Sequence, residues 1–390
     1  MLGVALRRLR PFLIIACVLG FLVVQLFRSA HDDPVLMSFD RNSNLHPNSQ
    51  HETQIDPIAD IESSIPSSHP LSKNIEKVVV PHIDTPNSVP SADSHSPDSS
   101  KKSIAISTTI LSPDSNFPVW LDYHLRIVDL VMIFMDDPER KPLFESFIQG
   151  KPVILFTGST AAPQLTAASR LILRQDENNN AALAYALQHN ITWLMHIDTD
   201  EIFYEDGYHN WTALEGVGVI SFTNHESIPL RHTPVNPFAE CTLFKISAGE
   251  LPFMAYGNGK AAVRVTPGVQ SDGPHQFRGY EGEERYLSRP MILHYPTPSY
   301  DIWVSKYSRY GNFSDYWYDD PSFPNDLTFM LESRDHVQRA LQTGNWDDAK
   351  KFFDKQIPDE ETTERLLKSG SLRRITPLYD PLIIDWPRRR

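Results

Sequence analysis

The chain has 390 residues and a net charge of −13, from 49 acidic against 36 basic side chains. That balance argues against nucleic acid as a partner, because phosphate backbones are held by clustered Lys and Arg; the clusters here are a short N-terminal group and Arg388, Arg389 and Arg390. With only Cys17 and Cys241 in the chain, one in an apolar N-terminal run and one far downstream, no disulfide staples the folded part, whose core must suffice by size.

In chain order, the first feature is an apolar run from Phe12 to Phe27 preceded by Arg7, Arg8 and Arg10. As a helix it spans about 24 Å, slightly short of a ~30 Å hydrocarbon core, which suits the thinner membranes of the early secretory pathway. The basic flank keeps the N-terminus cytosolic and sends the rest to the lumen. Residues 1–27 are therefore expected to be a cytosolic tail and signal-anchor. A cleaved signal peptide is the competing reading, and "RSA" after the run is a poor cleavage site. Residues 28–102, rich in Ser, Pro, His, Asp and Asn, hold too few large apolar side chains to offset the entropy of ordering. They are expected to be a disordered luminal stem.

Residues 103–390 hold nearly all the aromatics and form one expected domain. "SIAISTTIL" (103–111) predicts a buried strand and "FPVWLDYHLRI" (117–127) a short amphipathic helix. "VDLVMIFMDDP" and "KPVILFTGS" predict two more strands. "LTAASRLILRQDENNNAALAYALQHN" (165–190) has helical spacing and closes at His189-Asn190, before a fourth strand, "ITWLMHI". The rhythm strand, helix, strand, strand, helix, strand is that of a largely parallel α/β sheet, whose ligands lie at the carboxyl ends of the strands. Three N-x-S/T sequons begin at Asn190, Asn210 and Asn312; at least one is expected to be too buried for modification.

Two of the apolar runs end in acids: Asp136 and Asp137, then Asp198, Asp200 and Glu201. Carboxylates at the end of a buried strand repel one another and are costly to desolvate. A divalent cation would remove both costs. In extended chain, Asp198 and Asp200 would face the same side with Cα atoms roughly 6–7 Å apart, a hard-oxygen pair suited to Mn²⁺ or Mg²⁺ with coordination left for phosphate. Asp200 as a helix cap is the bland alternative.

Around this Asp-x-Asp, "RQDENNNAALAYALQHNITWLMHIDTDE" resembles the helix and strand that lead into the motif of nucleotide-sugar glycosyltransferases. "FPVWLDYHLRIVDLVMIFMDD" resembles the "EWxxYHxxxGVxxxxIYDD" stretch of family 92-like and family 2-like transferases, with Val119 where that pattern opens on Glu. "FTNHES", "PFAECTLFK", "YGNGKAAVR", "GPHQF", "ILHYP" and "LLKSGSLRRITPLYDPLII" follow in the order found in the plant KOBITO-like glycosyltransferase-like group. The likeness covers nearly all of residues 103–385.

That resemblance implies a GT-A-like fold: a single nucleotide-binding α/β sheet flanked by helices. It implies transfer of a sugar from a nucleotide-diphosphate donor, UDP-linked, to a hydroxyl of a glycan, lipid or protein acceptor. With the anchor read from residues 12–27, the protein is expected in the Golgi membrane with type II topology, the plasma membrane being the alternative. Asp198 and Asp200 would hold the metal, with His294 as third ligand and His275 as the other histidine candidate. Asp137, Arg174, Gln175, Asp198, Lys260 and Arg264 would contact the nucleotide or its phosphates, Gly257 and Gly259 letting backbone approach closely; the alternative for the glycines is a plain hairpin turn. An inverting reaction needs a general base; Glu226, Glu240 and Asp272 lie in the acceptor-side segment, with Glu226 preferred and Asp272 next. The rival readings are an inactive membrane-anchored scaffold with the same fold and a luminal metal-dependent hydrolase.

Overall fold

The computed structural model of the chain describes residues 102–160, 167–247, 249–313 and 328–380. The expected anchor and stem lie outside the described residues. Among the described residues no helix is long and apolar enough to cross a membrane.

The N-terminal half alternates as β1 (Ile104–Ile110), α1 (Phe117–His124), β2 (Leu130–Met135), α2 (Lys141–Ile148), β3 (Val153–Thr157), α3 (Ala167–Gln188) and β4 (Trp193–His196). These strands lie parallel, in the order β3-β2-β1-β4. The helix α2 was not expected from the sequence. It supplies the crossover that parallel neighbours β2 and β3 require.

Alternation along the strands decides which helix covers which face. Ile104, Ile106, Val131 and Ile133 pack with Phe117 and Trp120 of α1 and Phe144 of α2. The intervening Ala105, Met132 and Phe134 pack with Ala182 and Leu183 of α3. Because successive side chains of a strand point to opposite faces, this sheet is buried on both. The long helix ends where expected, Asn190 taking the left-handed conformation (φ 56°) that follows a helix C-terminus.

The second half is mostly antiparallel. It comprises β5 (Glu201–Tyr204), β6 (Val217–Ser227), α4 (Pro237–Glu240), β7 (Leu243–Lys245), β8 (Lys260–Arg264), a separate β9–β10 pair (Gln270–Ser271 and Phe277–Arg278) and β11 (Glu283–His294). Strand β8 pairs antiparallel with β4 and carries the sheet on to β6. β11 runs parallel to β6 and antiparallel to β5. Helices α5 (Tyr300–Tyr310), α6 (Thr328–Thr343) and α7 (Asp347–Asp354) share a second core around Trp303, Tyr307, Val337 and Phe353. Helix α8 (Glu360–Ser369) leads to β12 (Leu372–Arg374), which closes the sheet against β7. The architecture is thus mixed α/β with flanking helices, and its chain order reverses between β1 and β4. In open α/β sheets ligands bind at such a reversal, outside the carboxyl ends of the strands.

Candidate active site at the Asp198–Asp200 turn

Strand β4 stops at His196, and residues 198–201 form a turn closed by Glu201 N–H donating to the Asp198 carbonyl at 3.1 Å. In return Asp198 N–H donates to the Glu201 carboxylate at 2.7 Å. From α1, the Trp120 indole donates to the carbonyls of Asp198 (3.1 Å) and Glu201 (2.8 Å). Tyr295 N–H donates to the Asp200 carbonyl at 2.8 Å. The turn is therefore fixed from three sides, and the extended geometry expected for Asp198 and Asp200 does not hold. Reversal of the chain gives each aspartate its own surroundings.

Asp198 accepts at Oδ1 from Gln175 Nε2 (2.8 Å) and at Oδ2 from Lys260 Nζ (2.7 Å). Burial pushes its carboxyl up, but Lys260 and His196 outweigh that and hold it down at about 2. Lys260, at the start of β8, is fully buried and also reaches Glu201 Oε2 at 3.5 Å. Burial pushes Glu201 well above the ordinary carboxylate range despite that ammonium. Asp200 meets a different cation, Lys306 Nζ of α5, at 3.3 Å from Oδ2. His294 Nε2, at the end of β11, stands 3.7 Å from the same oxygen. Burial again works against ionisation, yet Lys306 and His294 hold Asp200 strongly ionised.

These contacts test the expected metal. Mn²⁺ or Mg²⁺ needs carboxylate lone pairs at about 2.0–2.2 Å, whereas both Asp198 oxygens and Asp200 Oδ2 already face nitrogen donors. A dication about 4 Å from an ammonium meets ~8 kcal/mol of repulsion at an effective dielectric near 20. The residues do not fit a resident divalent ion. The charges that seemed to require one are met by Lys260 and Lys306.

Several expected residues converge at this turn. Gln175, Lys260 and His294 join Asp198 and Asp200, while His275 accompanies them through Tyr256, whose ring stacks on His294 (centroids 4.7 Å) and meets His275 edge-on (4.4 Å). Arg174 pairs with Asp136 at the end of β2. Beside it, Asn178 bonds Thr109 and Ser159 N–H, and Asn179 accepts from Ser107. Helix α3 thus presents a polar rail along the ends of β1, β2 and β3. Thr108 Oγ1, Arg174 Nε and Asn179 Nδ2 remain buried there without a partner among the described residues.

Other expected residues are placed differently. Asp137 caps its own turn, accepting from Glu139 N–H (3.1 Å) and Arg140 Nε (3.0 Å); its neighbour Asp136 is the acid that meets α3. Arg264 pairs in register with Trp193 at the opening of β4, the end of the sheet away from the turn. It donates to the carbonyls of Val217 and Leu214 and lies over the Trp193 ring. Asp272 is exposed and pairs with Arg278 (3.4 Å). Glu240 accepts from Asn236 N–H. The close approach at Gly259 (φ 68°) is to the Phe222 carbonyl, 1.8 Å from where a Cβ would stand. All three sequon asparagines are exposed, contrary to the expected burial of one.

Glu226 is fully buried, pairs in register with His294 and stands 3.8 Å from its Nδ1 through Oε1. It accepts from the backbone N–H groups of Met254 (2.5 Å), Ala255 (2.8 Å) and Tyr256 (3.3 Å), and pairs with Lys245 (3.2 Å). A carboxylate engaged in this way cannot approach an acceptor hydroxyl, so it is a clamp on the 254–256 loop in place of the expected base. Sequence reasoning missed Lys306, Tyr256 and Trp120. Ser299 caps α5, and a lysine seven residues on from that cap was the available signal for Lys306.

No family model matches the chain. It is 27% identical over 243 residues to "Glycosyltransferase-like At3g57200" of Arabidopsis thaliana, covering 55% of this chain and 46% of that protein. A second Arabidopsis thaliana protein, "Glycosyltransferase-like At2g41451", is 24% identical over 244 residues, covering 55% and 52%. The chain thus spans about half the length of the curated relatives it matches. Among solved structures, a cytidylyltransferase from Leptospira borgpetersenii aligns over 31% of this chain and 53% of its own at 15% identity and a TM-score of 0.20. A mannose-1-phosphate geranyltransferase from Thermus thermophilus aligns over 65% and 68% at 13% identity and a TM-score of 0.22. Overlap at that level carries no argument.

Proposed function

We propose that the protein is a glycosyltransferase that moves a sugar from a nucleoside-diphosphate donor to an acceptor hydroxyl, using the crevice at the ends of β1 and β4. The carrying observation is the set of paired charges at the Asp198–Asp200 turn, Lys260 and Glu201 fully buried and the two aspartates half-open to solvent, where a sheet that reverses its chain order binds ligands. Buried ionic groups gathered in a crevice are costly to keep and mark candidate functional sites. The similarity to two proteins named glycosyltransferase-like supports the reaction class.

In this reading the polar rail of α3 receives the nucleoside, its unpartnered donors at Arg174 and Asn179 matching base or ribose oxygens. The leaving diphosphate gains negative charge as the glycosidic bond breaks, and a pre-placed ammonium stabilises that charge without reorganising. Asp200 orients its neighbours; held so strongly ionised by Lys306 and His294, it is a weak proton acceptor. Family 92-like or KOBITO-like membership, a UDP-linked donor, and a Golgi type II topology through residues 12–27 belong to the same proposal. The test is a donor screen on the full-length chain in detergent: nucleoside-diphosphate sugars with glycan and lipid acceptors, reading nucleotide release and product mass. Release that depends on acceptor supports transfer. Equal release without acceptor indicates a hydrolase, and absence of nucleotide binding at millimolar donor indicates a scaffold.

A further inference from the structure

The Asp198–Asp200 turn has the sequence signature of a metal site and the contacts of something else. Lys260 is saturated: its Nζ faces Asp198 at 2.7 Å, Glu201 at 3.5 Å, the Pro274 carbonyl at 3.3 Å and His196 Nδ1 at 3.5 Å. Lys306 is not. Its Nζ donates to Asp200 Oδ2 at 3.3 Å and to the Pro296 carbonyl at 3.0 Å. An ammonium has three N–H groups, so one has no partner among the described residues. The Lys306 side chain is 18% exposed, whereas that of Lys260 is 0% exposed. Lys306 is therefore the member of the pair that is open to solvent.

We propose that the site carries its cation in the polypeptide: the Lys306 ammonium, held by Asp200 and the Pro296 carbonyl and backed by the Lys260–Asp198–Glu201 group, binds a diphosphate without a divalent metal. Two roles follow for the Asp-x-Asp. Asp198 anchors the buried Lys260 that completes the turn. Asp200 and the Pro296 carbonyl together aim the working ammonium, whose flexible stem would otherwise leave it unordered. Each aspartate of the turn already has an ammonium beside it, Lys260 at 2.7 Å from Asp198 and Lys306 at 3.3 Å from Asp200.

The phosphate role rests on the transferase reading; the lack of a metal site does not. The test therefore has two arms on the full-length chain, stripped with EDTA. In the first, Mn²⁺ alone is titrated in and its free form followed by electron paramagnetic resonance. The expected result is no stoichiometric uptake by the native chain, and uptake of one ion by Lys306→Met, in which Asp200 and His294 lose their ammonium. One ion bound by the native chain and lost in Asp200→Asn would overturn the proposal. In the second arm UDP is titrated by calorimetry in EDTA and then in Mn²⁺. The expected affinity is the same in both, falls by ~10-fold or more in Lys306→Met as one charged hydrogen bond is lost, and returns in Lys306→Arg. Binding only with Mn²⁺ overturns the proposal and leaves the transferase reading standing. No binding of UDP, GDP or ADP in either buffer overturns both the phosphate role of Lys306 and the transferase reading. Circular dichroism melts of each variant separate these outcomes from misfolding.

Discussion

Glu226→Gln separates a catalytic base from a structural clamp. The carboxylate takes three backbone N–H groups and a lysine, with side-chain exposures of 0% for Glu226 and 3% for Lys245. Glutamine removes the charge and turns an NH₂ toward groups that are themselves donors. Hydrogen bonds to charged groups contribute ~1.5–3 kcal/mol each, and breaking a buried pair while leaving its partner charged costs ~3–5 kcal/mol. The second figure bounds the loss, since part of the geometry survives. At ~2–4 °C per kcal/mol for a domain of this size, the melting temperature should fall by ~6–20 °C. The assay is thermal unfolding of the full-length chain by circular dichroism, with nucleotide release measured well below the transition. Glu226→Gln/Lys245→Met, which removes both charges, should recover part of the loss. A variant that melts with the native chain yet loses turnover by ~100-fold, the lower range for general base catalysis, would refute the clamp and restore Glu226 as the base.

Gly259→Ala should prevent folding or lower the melting temperature sharply, because its Cβ would lie 1.8 Å from the Phe222 carbonyl at a φ of 68°; a native-like melt of soluble protein would contradict the close packing of β8 on β6. His124 is fully buried, its Nδ1 facing the Trp120 carbonyl at 2.9 Å and its Nε2 accepting from Phe203 N–H at 3.2 Å, and burial pushes it down to about 3. As pH falls below ~6.5 the unfolded chain takes the proton first, so stability should drop by up to ~1.4 kcal/mol per pH unit until about pH 3; urea unfolding between pH 7 and 4.5 should show this slope, reduced in His124→Gln. Lys260→Met leaves Asp198 and the buried Glu201 without their shared cation, and urea unfolding should report a loss of ~3–5 kcal/mol. If the chain crosses a membrane at residues 12–27, then Asn190, Asn210 and Asn312, all exposed, should carry glycans, read as a glycosidase-sensitive mobility shift lost in the Asn→Gln variants.

The parallel half was legible because its apolar runs are short, β-branched and separated by turn residues; β1 to β4 fall where "SIAISTTIL", "VDLVMIFM", "KPVILFT" and "ITWLMHI" place them. Helix α2 was missed because "KPLFESFI" is only eight residues long and opens with Pro at its first turn. The acids of the Asp198 turn were legible at the end of a strand; the groups that face them were not. Sequence reasoning sees adjacent carboxylates and must guess their counter-charge, whereas Lys260 and Lys306 arrive from 62 and 106 residues away. Long-range pairing also hid the fates of Arg264 and Glu226. Register set Arg264 at the far end of the sheet, while the backbone N–H groups of residues 254–256 took up the Glu226 carboxylate.

Helix α5 has two clients. One side bears Lys306, while Trp303 and Tyr307 are buried among Phe329, Val337, Phe352 and Phe353 of the C-terminal helices. The aim of a single ammonium is therefore inherited from the seating of a hydrophobic layer that never touches ligand. Small volume changes in that layer, at Val337 for example, would tilt the rod and retune anion affinity from behind, leaving every residue of the crevice unaltered.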